Sequence, residues 1–445
     1  MMLQFILGKS GSGKTAWIYE QIALRVRNGE RNVMLLVPDQ SSFEAEKDLL
    51  ELLGARLFKE VRVFGFDGLC RAVFEQTAKA PGNVIDDGTR AVLMSVAIEQ
   101  LAEKRSVLVS KSQRGLTDLM LGTLRECKKN GVTADMLSLA AERVSDDTLG
   151  AKLRETALIF NAFDALVSQS YIDPLDNLDR AEQLLRENSG LFDGFVLYAD
   201  SFSGFTAVQQ RVLRVLLNRC SESYISLTLD PETDGSEEVF ATTRQSLRAL
   251  KLLAKRDSIP LKPPVRLTEI KRFANEELRI IEAQVFRTNK EPCDRVPEAV
   301  TVYTANDIFD ECAYTARQIK RLVMEQGCLY SDIAVIANDP APYRGVLDTV
   351  FDKYEIPYFM DMSRDLSVKP PVRLVNAIFR MVLDGFDRED VLAFLKTGLT
   401  RHTTEEISRF ENYLYIWNIS GRALLSPFTQ NPRGFTDTET EEDRR

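Results

Sequence analysis

Residues Gly8-Lys9-Ser10-Gly11-Ser12-Gly13-Lys14-Thr15 constrain this chain more than any other stretch. They spell G-x-x-x-x-G-K-T after a short apolar run, Leu3 to Leu7, that predicts a buried strand. Behind them Ile18, Ile22 and Val26 share one face of a predicted helix. A loop between such a strand and helix wraps backbone N–H groups around phosphate oxygens at the helix N-terminus. Lys14 is then placed to reach the β- and γ-phosphates, and the Thr15 hydroxyl to ligate Mg²⁺. A chance glycine-rich turn is the plain alternative, and the strand–loop–helix order argues against it. The pattern therefore implies a nucleotide site.

The rest of the sequence frames that site. Val33 to Val37, closed by Pro38, predicts a second buried parallel strand, and Val61 to Phe64 a third. From about 72 to 187 the pattern is mostly helical, with segments such as Ala91 to Leu101 and Leu153 to Val167 and turns at Pro81-Gly82 and Asn130-Gly131. Strands return at Gly194 to Ala199 and Tyr224 to Leu229, the order of an α/β core interrupted by a helical insertion. Ile259 to Pro264 is proline-rich and predicts a linker or crossover. A second α/β unit is expected to follow, with strands at Val300 to Tyr303 and Ile333 to Ile336 around a helix from Glu311 to Met324. Thr436 to Arg445 is polar without an apolar pattern and predicts a frayed end.

Composition narrows the chemistry. With 445 residues, 44% hydrophobic and 28% charged, the chain is expected to be soluble and to form two or three domains. No apolar run is long enough to span a bilayer, and no signal peptide is expected ahead of the first strand. Six scattered cysteines without a C-x-x-C pair fit reduced thiols and a cytoplasmic location. His402 is the single histidine, in a polar stretch, which disfavours histidine metal sites and Ser-His-Asp catalysis. The net charge of −9 argues against a DNA-coating surface but leaves room for a basic channel. Lys104, Arg105, Lys111 and Arg114, and then Arg125, Lys128 and Lys129, form two loose basic segments that predict solvated helix faces.

A P-loop needs an acidic partner at the end of a neighbouring strand, and Asp200, after Phe195 to Ala199, fits that place. An N-cap or turn aspartate is the alternative. The next residue is Ser201, where hydrolysing motors usually carry a glutamate. A serine hydroxyl is a poor base near neutral pH, and losing such a base slows reactions by roughly 10²–10⁴.

Together these segments resemble AddB, the second subunit of the bacterial AddAB (RexAB) helicase–nuclease. The resemblance rests on the P-loop, on Val37 to Glu46, on Phe64-Gly65-Phe66-Asp67-Gly68-Leu69-Cys70, on Asp200 to Thr206, on Tyr330 to Ile336, and on Ile356 to Phe359 with Asp361. It implies a RecA-like P-loop NTPase domain of superfamily-1 helicase type over 1–75 and 188–275, with a helical insertion at 76–187. Part of a second RecA-like domain is expected over 276–390, and the start of an inserted helical domain over 391–445. Nucleotide contacts are implied at Gly8, Lys9, Ser10, Gly11, Ser12, Gly13, Lys14 and Thr15, and Mg²⁺ contacts at Thr15 and Asp200. Single-stranded DNA contacts are implied at Phe64 and Phe66. The implied function is that of an ATP-binding, degenerate motor subunit, paired with an AddA-type subunit, acting on broken DNA ends for homologous recombination.

Departures qualify the match. Asn338 stands where motors place an arginine after the Ala334-Val335-Ile336 strand, and Arg344 is the nearest alternative. Asp230-Pro231-Glu232 replaces the glutamine-containing motif expected after Leu229. The family's nuclease motif and the four cysteines of its iron–sulfur cluster are not found, so the chain is expected to be an N-terminal portion or a truncated gene product. Two other functions fit the P-loop: an active superfamily-1 translocase, with Glu44 or Glu46 supplying the acid, and a small-molecule P-loop kinase.

Overall fold

The computed structural model describes residues 1–445 except 78–81, 105, 109–112, 189, 232–237, 287–295, 362–365 and 431–445. Arg105, Lys111, Pro81, Glu232, Cys293 and the 436–445 tail therefore lie outside the described residues. The chain divides after Thr301 into two compact units. That division falls later than the 275–276 boundary expected from sequence.

The first unit is built on six parallel strands: β1 (Leu3–Gly8), β2 (Val33–Leu36), β3 (Val61–Phe64), β4 (Val196–Ala199), β5 (Glu222–Thr228) and β6 (Val265–Leu267). Their order is β3-β2-β4-β5-β1-β6, so β1 lies inside the sheet and delivers the glycine-rich loop to its carboxyl edge. Alternate residues face opposite sides, and both sides are covered along β2 and β4, which is why those two read as continuous apolar runs. Ile6, Val33, Leu35, Val196 and Tyr198 pack on α1 (Lys14–Arg27) and α2 (Ser42–Phe58). Phe5, Leu7, Met34, Leu36, Leu197 and Ile225 face the opposite core. That core is closed by α3 (Phe66–Gln76) and, later in the chain, by the helices at 177–187, 207–217 and 241–256.

Between β3 and β4 stands the helical insertion: α4 (Asp87–Gln100), α5 (Gln113–Lys129), α6 (Ala134–Arg143), α7 (Asp147–Ser168) and α8 (Asn177–Glu187). Met94, Ile98, Met120, Leu124, Ile159, Phe160 and Phe163 make its own core. Asp86 and Asp146 cap α4 and α7 by accepting from the N–H groups of Thr89, and of Thr148 and Leu149. A buried ion network ties the bundle together: Asp173 accepts from Arg90 at 2.9 Å and from Lys128 at 3.1 Å. Lys128 is thus held inside the bundle, not on a solvated face as expected, while Arg125 and Lys129 are exposed.

After β4 come α9 (Ala207–Leu217), opened by a Thr206–Gln209 capping box, and α10 (Ala241–Arg256). The expected linker at 259–264 proves to be the start of the sheet's edge. Leu3 donates to the Pro260 carbonyl at 2.9 Å and accepts from the Lys262 N–H at 2.9 Å, and β6 follows at once. An edge strand tolerates prolines because one row of its peptide groups needs no ladder partner.

The last helix of the first unit is α11 (Glu276–Gln284). The second unit holds α12 (Ile308–Gln326), α13 (Leu347–Lys353), α14 (Pro370–Leu383), α15 (Arg388–Leu395) and α16 (Thr404–Ile416). The helix expected at 311–324 is present, but the strands expected at 300–303 and 333–336 are not formed among the described residues. Two small cores organise this unit, one around Ala316, Ile319, Phe351 and Ile356, the other around Leu392, Tyr413, Leu414 and Ile419.

Candidate nucleotide site

The loop from Gly8 to Thr15 leaves β1 and enters α1 through two glycines of positive φ, Gly11 at 82° and Gly13 at 88°. A side chain at either position would be strained. At Gly8 a Cβ would overlap Ser12 Oγ and lie 2.7 Å from the Leu267 carbonyl oxygen. Lys14 curls back over the loop, its Nζ donating to the carbonyls of Gly8 at 3.0 Å and Lys9 at 2.9 Å. Burial lowers the Lys14 pKa; the Asp200 carboxylate opposes this and the Arg272 guanidinium reinforces it. Ser12 is 1% exposed and its Oγ has no hydrogen-bond partner. Buried polar atoms are rarely left so, and an orphan here suits a loop that takes up a polar ligand.

Asp200 sits at the end of β4, two strands from β1, with β5 between them. It is 1% exposed. Thr15 Oγ1 donates to its Oδ2 at 2.7 Å, Ser201 Oγ donates to the same oxygen at 3.2 Å, and the buried Ser226 hydroxyl donates to Oδ1. The sequence-predicted metal pair, Thr15 and Asp200, is thereby brought together. Among the described residues no group of three or more His, Cys, Asp or Glu side chains forms a metal site. Two protein oxygens suit Mg²⁺, which takes most of its octahedron from phosphate and water. Ser201 holds φ of 65°, an unusual conformation for a side-chain-bearing residue at a strand end.

Other expected residues are less available. Phe66 is 2% exposed in the core, edge-on to Phe202 at 5.7 Å, so a DNA contact would require its ring to leave that core. Phe64 is half-buried against Phe192. Glu44 and Glu46 are exposed on α2. Burial, with the charges of Asp48, Asp200 and Glu44, pushes Tyr19 up to about 12.

Sequence reasoning missed the segment after β6. The N–H groups of Lys271 and Arg272 donate to the Gly11 carbonyl at 2.9 and 3.2 Å, and Arg272 Nη1 donates to Ser10 Oγ at 3.3 Å. Lys9 turns the other way, 3.5 Å from Asp230 and 3.6 Å from Glu282 of α11. The signal was present: Val265-Arg266-Leu267 is an alternating run followed by a basic pair. The prolines before it disguised a strand as a linker.

These features define a parallel α/β protein with a cationic, glycine-rich loop at the carboxyl edge of its sheet. The family model described as "ADDB, N-terminal" matches residues 5–282, and the chain belongs to the AddB family. Among its relatives are proteins named as the B component of an ATP-dependent helicase/deoxyribonuclease. That of Thermoanaerobacter sp. (strain X514) is 32% identical over 95% of this chain and 37% of its own length. That of Clostridium acetobutylicum is 28% identical over 95% of this chain and 37% of its own, and one from Clostridium perfringens is 28% identical over 100% and 40%. The chain thus spans less than half the length of these relatives. Among the described residues no helix is long and apolar enough to cross a membrane.

Proposed function

We propose that this chain is the nucleotide-binding, motor-like part of an AddB-type subunit. In this reading the first unit is a RecA-like P-loop domain that holds ATP with Mg²⁺. Gly8 to Thr15 cradle the phosphates with backbone N–H groups, Lys14 swings from its two carbonyls to the β- and γ-phosphates, and Arg272 adds a second cation. Thr15 and Asp200 hold Mg²⁺, which would neutralise phosphate charge. The observation that carries this reading is the 2.7 Å contact between the Thr15 hydroxyl and the buried Asp200 carboxylate, which joins the loop to a strand two places away. The family membership supports a place beside an AddA-type subunit in a helicase–nuclease that processes DNA ends.

The same reading makes the motor degenerate. Ser201 directs its hydroxyl to Asp200 and offers no carboxylate to an attacking water. ATP then acts chiefly as a bound ligand, and the chain grips DNA without driving along it. Binding of a fluorescent ATP analogue with Mg²⁺ tests the site. Lys14→Ala removes a charge-assisted contact worth about 1.5–3 kcal/mol, a loss of roughly ten- to a hundred-fold in affinity. Equal affinities for variant and wild type would remove Lys14 from the site.

A further inference from the structure

The family resemblance implies a nucleotide contact at Lys9, yet its ammonium lies between two carboxylates, 3.5 Å from Asp230 and 3.6 Å from Glu282. The two partners differ in what they need. The Asp230 side chain is 7% exposed and the Glu282 side chain 23%. Taking the cation from a buried carboxylate costs far more than taking it from one that water reaches. The Glu282 side of the pair is therefore the one that yields when a competing anion arrives.

Glu282 stands in the last turn of α11, where a carboxylate opposes the helix dipole, and that turn holds no basic residue of its own. Lys9 supplies the cation from the glycine-rich loop. The helix depends on such help. It has nine residues, too few to be stable in isolation, and it buries none of them. Ile281 is 42% exposed, and Phe286 just beyond the helix is 70% exposed. Arg279 and Glu277 tie α11 to its own flanks, Arg279 Nε donating to the Phe273 carbonyl at 2.9 Å and Glu277 accepting from the Ala299 N–H at 2.7 Å. Its C-terminal turn thus meets the sheet's carboxyl edge through a lysine of the loop that would take phosphate.

We propose that the Lys9 side chain is a relay: a nucleoside triphosphate in the Gly8–Thr15 loop draws its ammonium from Glu282 and loosens the C-terminal turn of α11. Asp230, the more buried partner, keeps its share of the cation. The inference rests on the nucleotide reading above and adds an output to that site. Linkage makes the effect reciprocal. The factor by which nucleotide favours the open pair is the factor by which an open pair favours nucleotide. A partly exposed ion pair sets that factor at about two- to five-fold.

Amide hydrogen exchange of the whole chain reads α11, and titration with a fluorescent ATP analogue and Mg²⁺ reads the loop. In the wild-type chain the analogue should speed exchange of amides 280–284 by about two- to five-fold. Lys9→Gln leaves the Glu282 carboxylate without its cation and should show that faster exchange before nucleotide is added, with no further change after. Glu282→Gln frees Lys9 and should tighten the analogue by the same factor, with α11 exchange no longer responding to it. Glu277→Gln removes the same charge from the same helix but leaves the Lys9 pair intact, and its affinity should equal wild type. Binding without a change in α11 exchange overturns the relay and leaves the nucleotide reading standing. So does wild-type affinity in Glu282→Gln, or an equal gain in Glu277→Gln. An analogue that does not bind the wild-type chain overturns both.

Discussion

Replacing Asp200 separates a metal ligand from a structural aspartate. Its carboxylate receives three hydroxyls, from Thr15, Ser201 and Ser226. Thr15 and Ser201 are exposed and can turn to water, whereas Ser226 is 2% exposed. Asp200→Ala therefore strands one buried hydroxyl, at a cost of about 1–3 kcal/mol, and lowers stability without bearing on Mg²⁺. Asp200→Asn is the sharper test. The amide keeps the shape and one acceptor oxygen, and rotating hydroxyls can accept from its NH₂ group. Its stability should stay within about 1 kcal/mol of wild type. What it loses is the negative charge that would face the metal. We expect the affinity for an ATP analogue in EDTA to be unchanged within a few-fold. The gain in affinity on adding Mg²⁺ should shrink by roughly ten- to a hundred-fold, the size of a contact to a charged group. Calorimetry or fluorescence titration with and without Mg²⁺, next to thermal melts, reads both quantities. An undiminished Mg²⁺ gain in Asp200→Asn would mean that the carboxylate only braces the loop, and the metal assignment would fail.

Arg272→Ala should weaken nucleotide binding by about as much as Lys14→Ala, since both remove a cation from the loop. Full affinity in titration would reduce Arg272 to a strap on Gly11. Ser201→Glu should fold, because the φ of 65° strains glutamate no more than serine. Its ATPase with single-stranded DNA should remain low, with at most a partial rise, and a brisk rate already present in the unmodified protein would favour the translocase. Acid melts should reveal Asp257, which Arg214 at 2.6–2.7 Å holds at a pKa of about 2. An unfolded aspartate titrates near 4, so this stabilisation is complete above about pH 4 and lost as pH falls toward 2. Asp257→Asn should flatten that part of the stability curve, and an unchanged slope would contradict the assignment.

How much of this was legible depended on where each partner lay in the sequence. β2 and β4 were visible because strands buried on both faces are continuous apolar runs, as in Val33-Met34-Leu35-Leu36. The glycine-rich loop was visible because Gly8 to Thr15 form one contiguous stretch. Asp200 could be chosen because it ends a strand, although only the folded sheet sets it 2.7 Å from Thr15. The strap was hidden, because prolines suggest a linker until Leu3 is seen to pair with Pro260 and Lys262. Phe66 shows the opposite failure. The family resemblance implied a DNA contact there, while period-3.6 packing of α3 turns the ring inward with Leu69, Cys70 and Val73. The strands expected at 300–303 and 333–336 failed for a third reason. Apolar, β-branched stretches state a preference, but a ladder needs a partner that local sequence does not contain.

The position of Arg272 changes the argument about catalytic strength. Asn338, where an arginine was expected, suggested a phosphate site short of positive charge. Yet the first unit places Arg272 on the loop itself, with its guanidinium on Ser10 and close enough to Lys14 to lower that residue's pKa. Two cations so near each other repel when the site is empty, and a polyphosphate between them would relieve the repulsion. In the proposed reading, two cations for a polyphosphate are thus supplied by the first unit, residues 1–301. What the described site lacks is a general base: Ser201 donates to Asp200, and Asp200 is occupied by three hydroxyls. In the proposed reading, binding and hydrolysis separate onto different residues. A site with its cations in place and no free carboxylate beside residue 201 can hold ATP firmly while turning it over slowly.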